Sequence, residues 1–146
     1  MLPFCELEKS TYNWKYKHYP QVLLTVGDHI RRTRLERGLF QSQIADLLGV
    51  SEDTITYWEN NRSQPQIQWM PVIINFLGYI PISLDTSTLA GRIKNFRLLK
   101  GLSHKKMAEI LNVEPSTIAS WEENTEPKKG KRKLINALLQ GTFYYL

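Results

Sequence analysis

Apolar residues recur every three or four positions over most of residues 26–140, the period of helices with one buried face. The clearest instance is residues 41–60, QSQIADLLGVSEDTITYWEN. Ile44 and Leu48 share one helical face, and Ala45 beside them is small enough to let a second helix approach. Gly49 suits the left-handed conformation that a tight turn requires. Val50 closes the corner, and Ser51 is a good N-cap. Glu52 and Asp53 favour the positive end of the next helix, whose Ile55 and Trp58 point back at the first. The stretch therefore predicts helix, tight turn, helix. Upstream, Ile30, Arg34 and Arg37 lie at helical spacing in a segment that begins near Val26 and ends at Gly38. Downstream, Trp69, Ile73, Phe76 and Leu77 predict a further helix that tolerates Pro71 in its first turn and closes at Gly78. Tyr12, Trp14, Tyr16 and His18 alternate with Asn13, Lys15 and Lys17, a period of two that suggests an extended arm with an aromatic face.

The pattern occurs twice. A shift of 63 residues lays Ile30 on Ile93, Arg34 on Arg97, Gly38 on Gly101 and Ala45 on Ala108, without insertion. It continues through Leu48 on Leu111, Ile55 on Ile118, Trp58 on Trp121, Glu59 on Glu122 and Asn61 on Asn124. A repeat at fixed offset is stronger evidence than either copy alone. In the second copy, HKKMAEILNVEPSTIASWEE, Asn112 replaces the turn glycine, and Asn also tolerates the left-handed region. Pro115 fits the first position of its helix. The expectation is an all-α chain of two tandem domains, each of about four to five short helices. The divisions are an arm at 1–25, a first domain at 26–80, a linker at 81–87 and a second domain at 88–146.

Both copies resemble the helix-turn-helix domain of the lambda/434 repressor and Cro group, the xenobiotic-response-element family. The segments that carry the resemblance are GLFQSQIADLLGVSEDTITYWENNRSQP and GLSHKKMAEILNVEPSTIASWEENTEP. It spans most of residues 26–139 and omits the arm. In that family the second motif helix enters the major groove and meets base edges through its N-terminal half. The resemblance implies that the first reading helix presents Glu52, Asp53, Thr56 and Tyr57, and the second Pro115, Ser116, Ala119 and Ser120. It implies backbone phosphate contacts from Gln41 and Ser42, from His104 and Lys105, and from Thr54 and Thr117. The loops that follow would add Asn61, Arg62 and Gln64, then Asn124, Lys128 and Lys129. It also matches Arg34 with Glu59, and Arg97 with Glu122, as buried ion pairs that tie the first helix to the end of the reading helix. Trp58 and Trp121 are expected in the cores, not stacked on bases.

Charge makes the copies unequal. Residues 1–86 hold 8 Lys+Arg against 9 Asp+Glu, a net of −1, and residues 87–146 hold 11 against 5, a net of +6, which together give the formal +5 of the chain. Its sequence pI is about 9.4. The basic half carries Lys105, Lys106 and the run Lys128, Lys129, Lys131, Arg132 and Lys133, so the second copy is expected to supply more non-specific affinity for DNA. Glu52 and Asp53 put carboxylates on the first reading face, either as helix-end charges or as acceptors for a cytosine amino group.

Other chemistries have no basis here. The single cysteine, Cys5, excludes an intramolecular disulfide and fits a reducing compartment. His18, His29 and His104 lack metal-ligand spacing. There is no nucleophile–base set and no Gly-rich phosphate loop, so neither an enzyme nor a cofactor is expected. No apolar run reaches membrane-spanning length, and a cytoplasmic location is expected. Phe143, Tyr144 and Leu146 either complete the second core or form a dimerisation patch, so a homodimer is one expected state. The function expected is sequence-specific double-stranded DNA binding as a transcriptional regulator, a repressor by default. The alternative is a protein-interaction or antitoxin-like module on the same fold, with weak or non-specific DNA binding. No small-molecule ligand is expected.

Overall fold

The computed structural model describes residues 20–141, and among them every regular element is a helix. The aromatic part of the arm and the tail Phe143–Leu146 lie outside the described residues. Packing divides the chain into two compact units, Met1–Pro65 and Gln66–Leu146.

The first unit holds α1 (Val26–Glu36), α2 (Gln41–Leu48) and α3 (Glu52–Glu59). Each boundary has a local cause. Thr25 caps α1 in a capping box: its hydroxyl accepts from Asp28 N at 3.1 Å, and Asp28 Oδ2 accepts from Thr25 N at 2.9 Å. Phe40 has no capping oxygen, and the Gln43 side chain reaches back to its N–H at 2.8 Å. Gly49 takes φ 70°, as the turn requires, and the Ser51 hydroxyl accepts from Thr54 N at 3.2 Å to start α3. α3 packs on both α1 and α2. Ile30, Ile44 and Ile55 are fully buried, with Ala45, Leu48 and Trp58 also buried. Each such isoleucine stabilises by roughly 1.5–3 kcal/mol relative to exposure.

The second unit begins with a short 3-10 turn, Ile67–Trp69, and α4 (Met70–Leu77). α5 (Leu89–Lys100), α6 (His104–Leu111) and α7 (Pro115–Glu122) repeat the first three helices, and α8 (Lys129–Gln140) follows. Asn112 turns the motif at φ 50°. The core joins Ile93, Phe96, Met107, Leu111, Ile118 and Trp121 to Ile135 and Leu139 of α8. Side-chain capping is exchanged between the motif helices. Here Ser103 caps α6, through Lys106 N at 3.2 Å, and Glu114 offers α7 no side-chain cap.

The sequence boundary after residue 80 and the packing boundary after Pro65 differ, because α4 takes its helix-to-helix packing from α5. Residues 81–87 are not uniformly loose either, since Pro81 is buried.

α1 and α3 approach so closely that only glycine fits at position 27. A Cβ there would lie 1.8 Å from the Trp58 carbonyl oxygen. Gly27→Ala is expected to destabilise by ~1–3 kcal/mol, the usual cost of forcing an extra group into a packed core. Urea unfolding reads this as a lowered midpoint, and an unchanged midpoint would show that the two helices separate freely.

Candidate nucleic-acid interface

The site is built around one ion pair per unit. In the first, Arg34 Nε donates to Glu59 Oε1 at 2.6 Å and Nη2 to Oε2 at 2.7 Å, while Nη1 reaches the Leu39 carbonyl at 2.9 Å. One guanidinium thus joins α1, the last residue of α3 and the chain just before α2. The second unit repeats it: Arg97 donates to Glu122 at 2.6 and 3.0 Å and to the Leu102 carbonyl at 3.0 Å. Both pairs expected from the resemblance are present, and little of either is exposed.

Glu122 feels this setting. Burial pushes its carboxyl up, but the hydrogen bonds and positive charges of Arg97 and His104 outweigh burial and hold it below its ordinary value of 4.5. Asp28 is likewise lowered: burial acts upward, and hydrogen bonds from Asn61, Thr25 and Leu24 overcome it.

Several residues expected at phosphates are engaged inside the protein. Gln41 Nε2 donates to Glu59 Oε2 at 2.9 Å, and its Oε1 accepts from the Thr56 hydroxyl at 3.1 Å. A phosphate at Gln41 must compete with this bridge or use the exposed end of the helix. His104, its counterpart, lies 3.1 Å from Glu122 through Nε2, while Ala119 stands where Thr56 does and offers no hydroxyl. Asn61 is clasped to α1: Thr25 Oγ1 donates to its Oδ1 at 2.6 Å, and its Nδ2 donates to Asp28 Oδ1 at 3.1 Å. Thr54 pairs with Ser51, hydroxyl to hydroxyl, at 2.8 Å.

The clasp has no counterpart in the second unit. Gly91 replaces Asp28, and the Thr88 hydroxyl donates to the Asp85 carbonyl. Among the described residues the Asn124 side chain makes no hydrogen bond. Ala90 replaces Gly27, and a cleft of about 230 Å³ opens between Thr88, Trp121 and Asn124.

Most of the remaining candidates are exposed. Glu52, Asp53 and Tyr57 lie on α3, Asp53 and Tyr57 four residues apart on one face. Ser42, Arg62 and Gln64 flank them. On α7, Pro115 and Ser116 are exposed and Thr117, Ala119 and Ser120 half-buried; the Ser120 hydroxyl returns to the Ser116 carbonyl at 3.0 Å. Lys105, Lys128 and Lys129 are exposed. Two members of the basic run have structural roles. Lys131 Nζ donates to the Leu111 and Asn112 carbonyls at 2.7 and 3.1 Å, closing the C-terminal end of α6, and Arg132 pairs with Glu126 at 3.3 Å. A run of five cations gives no sequence signal for which one does this. Trp58 and Trp121 are buried, as expected.

Two helical pairs, each with a left-handed turn and an exposed second helix, define a protein of the DNA-binding helix-turn-helix class. The helix-turn-helix family HTH_3 matches the chain twice, over residues 30–83 and 93–146. The chain belongs to this lambda repressor/Cro-like family, in two tandem copies. No curated protein and no solved structure matches it. Among the described residues no helix is long and apolar enough to cross a membrane, and no cluster of His, Cys, Asp or Glu is arranged to hold a metal ion.

A depressed carboxyl pKa stabilises the fold above its unfolded-state value and loses that contribution as pH falls through the folded-state value. Glu122→Gln should therefore lower the melting temperature at neutral pH and flatten the decline below about pH 4.5. An acid limb as steep as that of the parent would exclude this carboxylate as a source of acid sensitivity.

Proposed function

We propose that the chain is a sequence-specific double-stranded DNA-binding regulator of transcription, with α3 and α7 as its reading helices and repression by promoter occlusion as its mode. The observation that carries the proposal is the repeated arrangement: the ion pair and the turn hold each reading helix in place while its outer face stays open to solvent. Lys105, Lys106, Lys128 and Lys129 then supply phosphate contacts beside α7. Each phosphate neutralised releases counterions, which adds affinity that falls with salt. Glu52, Asp53, Thr56 and Tyr57 on α3, with Ser116 and Ser120 on α7, are the groups placed to meet bases. Double-stranded DNA is the partner, and a cytoplasmic protein is the fitting context.

One observation favours the second reading, a protein-interaction module. The first unit exposes Phe40, 73% accessible, and Tyr57, 47% accessible, and Tyr57 shares α3 with the exposed carboxylates of Glu52 and Asp53. Apolar surface beside acidic groups suits a protein partner better than a phosphate backbone.

Selection from random duplex DNA separates the two. A regulator should return a defined bipartite site, whereas equal weak affinity for all duplexes would overturn the specific-reader function. Replacing Lys128 and Lys129 with Gln should reduce the slope of log affinity against log salt by about 0.9 for each phosphate no longer neutralised, with little change in melting. Lys131→Met should act the other way round, lowering stability by ~0.3–1 kcal/mol through removal of the helix-end charge and leaving the slope nearly unchanged. An unaltered slope in the Lys128 and Lys129 variant would show those side chains to be merely solvated.

A further inference from the structure

The two reading faces carry different chemistry, and the structure shows which groups remain available on each. In the first unit the start of α3 is already capped by Ser51, whose hydroxyl takes Thr54 N. Glu52 and Asp53 are exposed, and among the described residues neither carboxylate has a hydrogen bond or an ion pair. They are therefore open acceptors at the end of the helix that would enter the groove. Tyr57 continues the face one turn on. In the second unit the matching positions are Pro115, Ser116 and Ser120. Proline offers no side-chain donor, and the Ser120 hydroxyl already donates to its own helix. Beside α7 the exposed lysines Lys105, Lys106, Lys128 and Lys129 outnumber the exposed carboxylates of Glu114, Glu123 and Glu126.

From these observations, and resting on the DNA-binding function proposed above, we infer that Glu52 and Asp53 are specificity-determining residues that select cytosine in one half-site, while the second unit contributes mainly sequence-independent phosphate affinity. A carboxylate can only accept. In the major groove, cytosine presents its N4 amino group as a donor. Adenine presents its N6 amino group beside the N7 acceptor, which repels a carboxylate. Guanine and thymine present acceptors along the same edge. The Tyr57 ring, beyond Asp53, suits an apolar contact such as a thymine methyl. The exposed positions that make the first face a poor phosphate binder thus make it a selective cytosine reader.

The test compares the wild-type chain with the E52Q/D53N double variant in selection from random duplex DNA, with melting curves measured in parallel. The wild type should enrich a site with cytosine at one or two fixed positions of one half. The carboxamides, which can both donate and accept, should shift those positions towards adenine, with a loss of cytosine discrimination of roughly 5- to 150-fold. The salt slope, set by the lysines, should change little. Unchanged base preference with a lowered melting temperature would overturn the inference and leave the two carboxylates as helix-end charges. A wild-type site confined to a single half that the variant does not alter would also overturn it, and would favour a protein-docking role for the first face. Failure of the wild type to enrich any site would instead overturn the proposed function itself.

Discussion

Everything in each unit depends on one buried guanidinium–carboxylate pair. A reading helix two turns long cannot hold itself, since isolated helices of that length are marginal in water. Arg34 fixes the end of α3 to α1 and, through the Leu39 carbonyl, to the start of α2. Arg97 does the same for α7. The planar guanidinium suits this because its donors leave in fixed directions, so one side chain sets three segments at once. A buried pair of this kind is not a large net source of stability, because desolvation opposes the attraction. Its contribution is directional, and removing one partner alone would strand a charge at a cost of ~3–5 kcal/mol.

Around the same pair the copies diverge through single residues. Gln41 has a donor and an acceptor, so it bridges Glu59 to Thr56 and ties the start of α2 to the outer part of α3. His104 reaches only Glu122, and Ala119 cannot answer it. On the far side, Asn61 clasps α1 in the first unit, while Asn124 faces a cleft in the second. Both differences point the same way. Side-chain hydrogen bonds link the middle of α3 and the chain just after it to α2 and α1, whereas among the described residues α7 has only the contacts of Arg97 and His104 with Glu122.

The sequence was most legible where the physics is local. The turn at Gly49 and Asn112, the Ser51 cap, the inward Trp58 and Trp121 and the two ion pairs all follow from spacing, from backbone preference or from the repeat read against the family pattern. What stayed hidden depends on tertiary approach. Nothing in a stretch of five cations tells Lys131, which closes the end of α6, from its neighbours. Nothing local assigns Asn61 to Thr25 and Asp28, more than thirty residues away. The first family match, residues 30–83, takes in α4, while the helix packing of α4 is against α5.

Under the DNA-binding function proposed above, the uneven charge of the two units gives a property that neither unit has alone. Attraction between lysines and phosphates acts over roughly 8 Å at physiological salt and does not depend on base sequence. A carboxylate in the groove is unfavourable against phosphates and most base edges, and becomes favourable only where an amino group meets it at hydrogen-bond distance. Placed on a separate domain, such a face would bind DNA weakly. Joined by one chain to a cationic unit bound to DNA, it would be held at high effective concentration near the duplex. Its unfavourable contacts then act against wrong sites more than they lower affinity for the right one. Specificity is a difference of affinities, and a repulsive group raises it as effectively as an attractive one. The acidic residues of α3 are compatible with a DNA-reading role because the basic residues lie elsewhere in the chain.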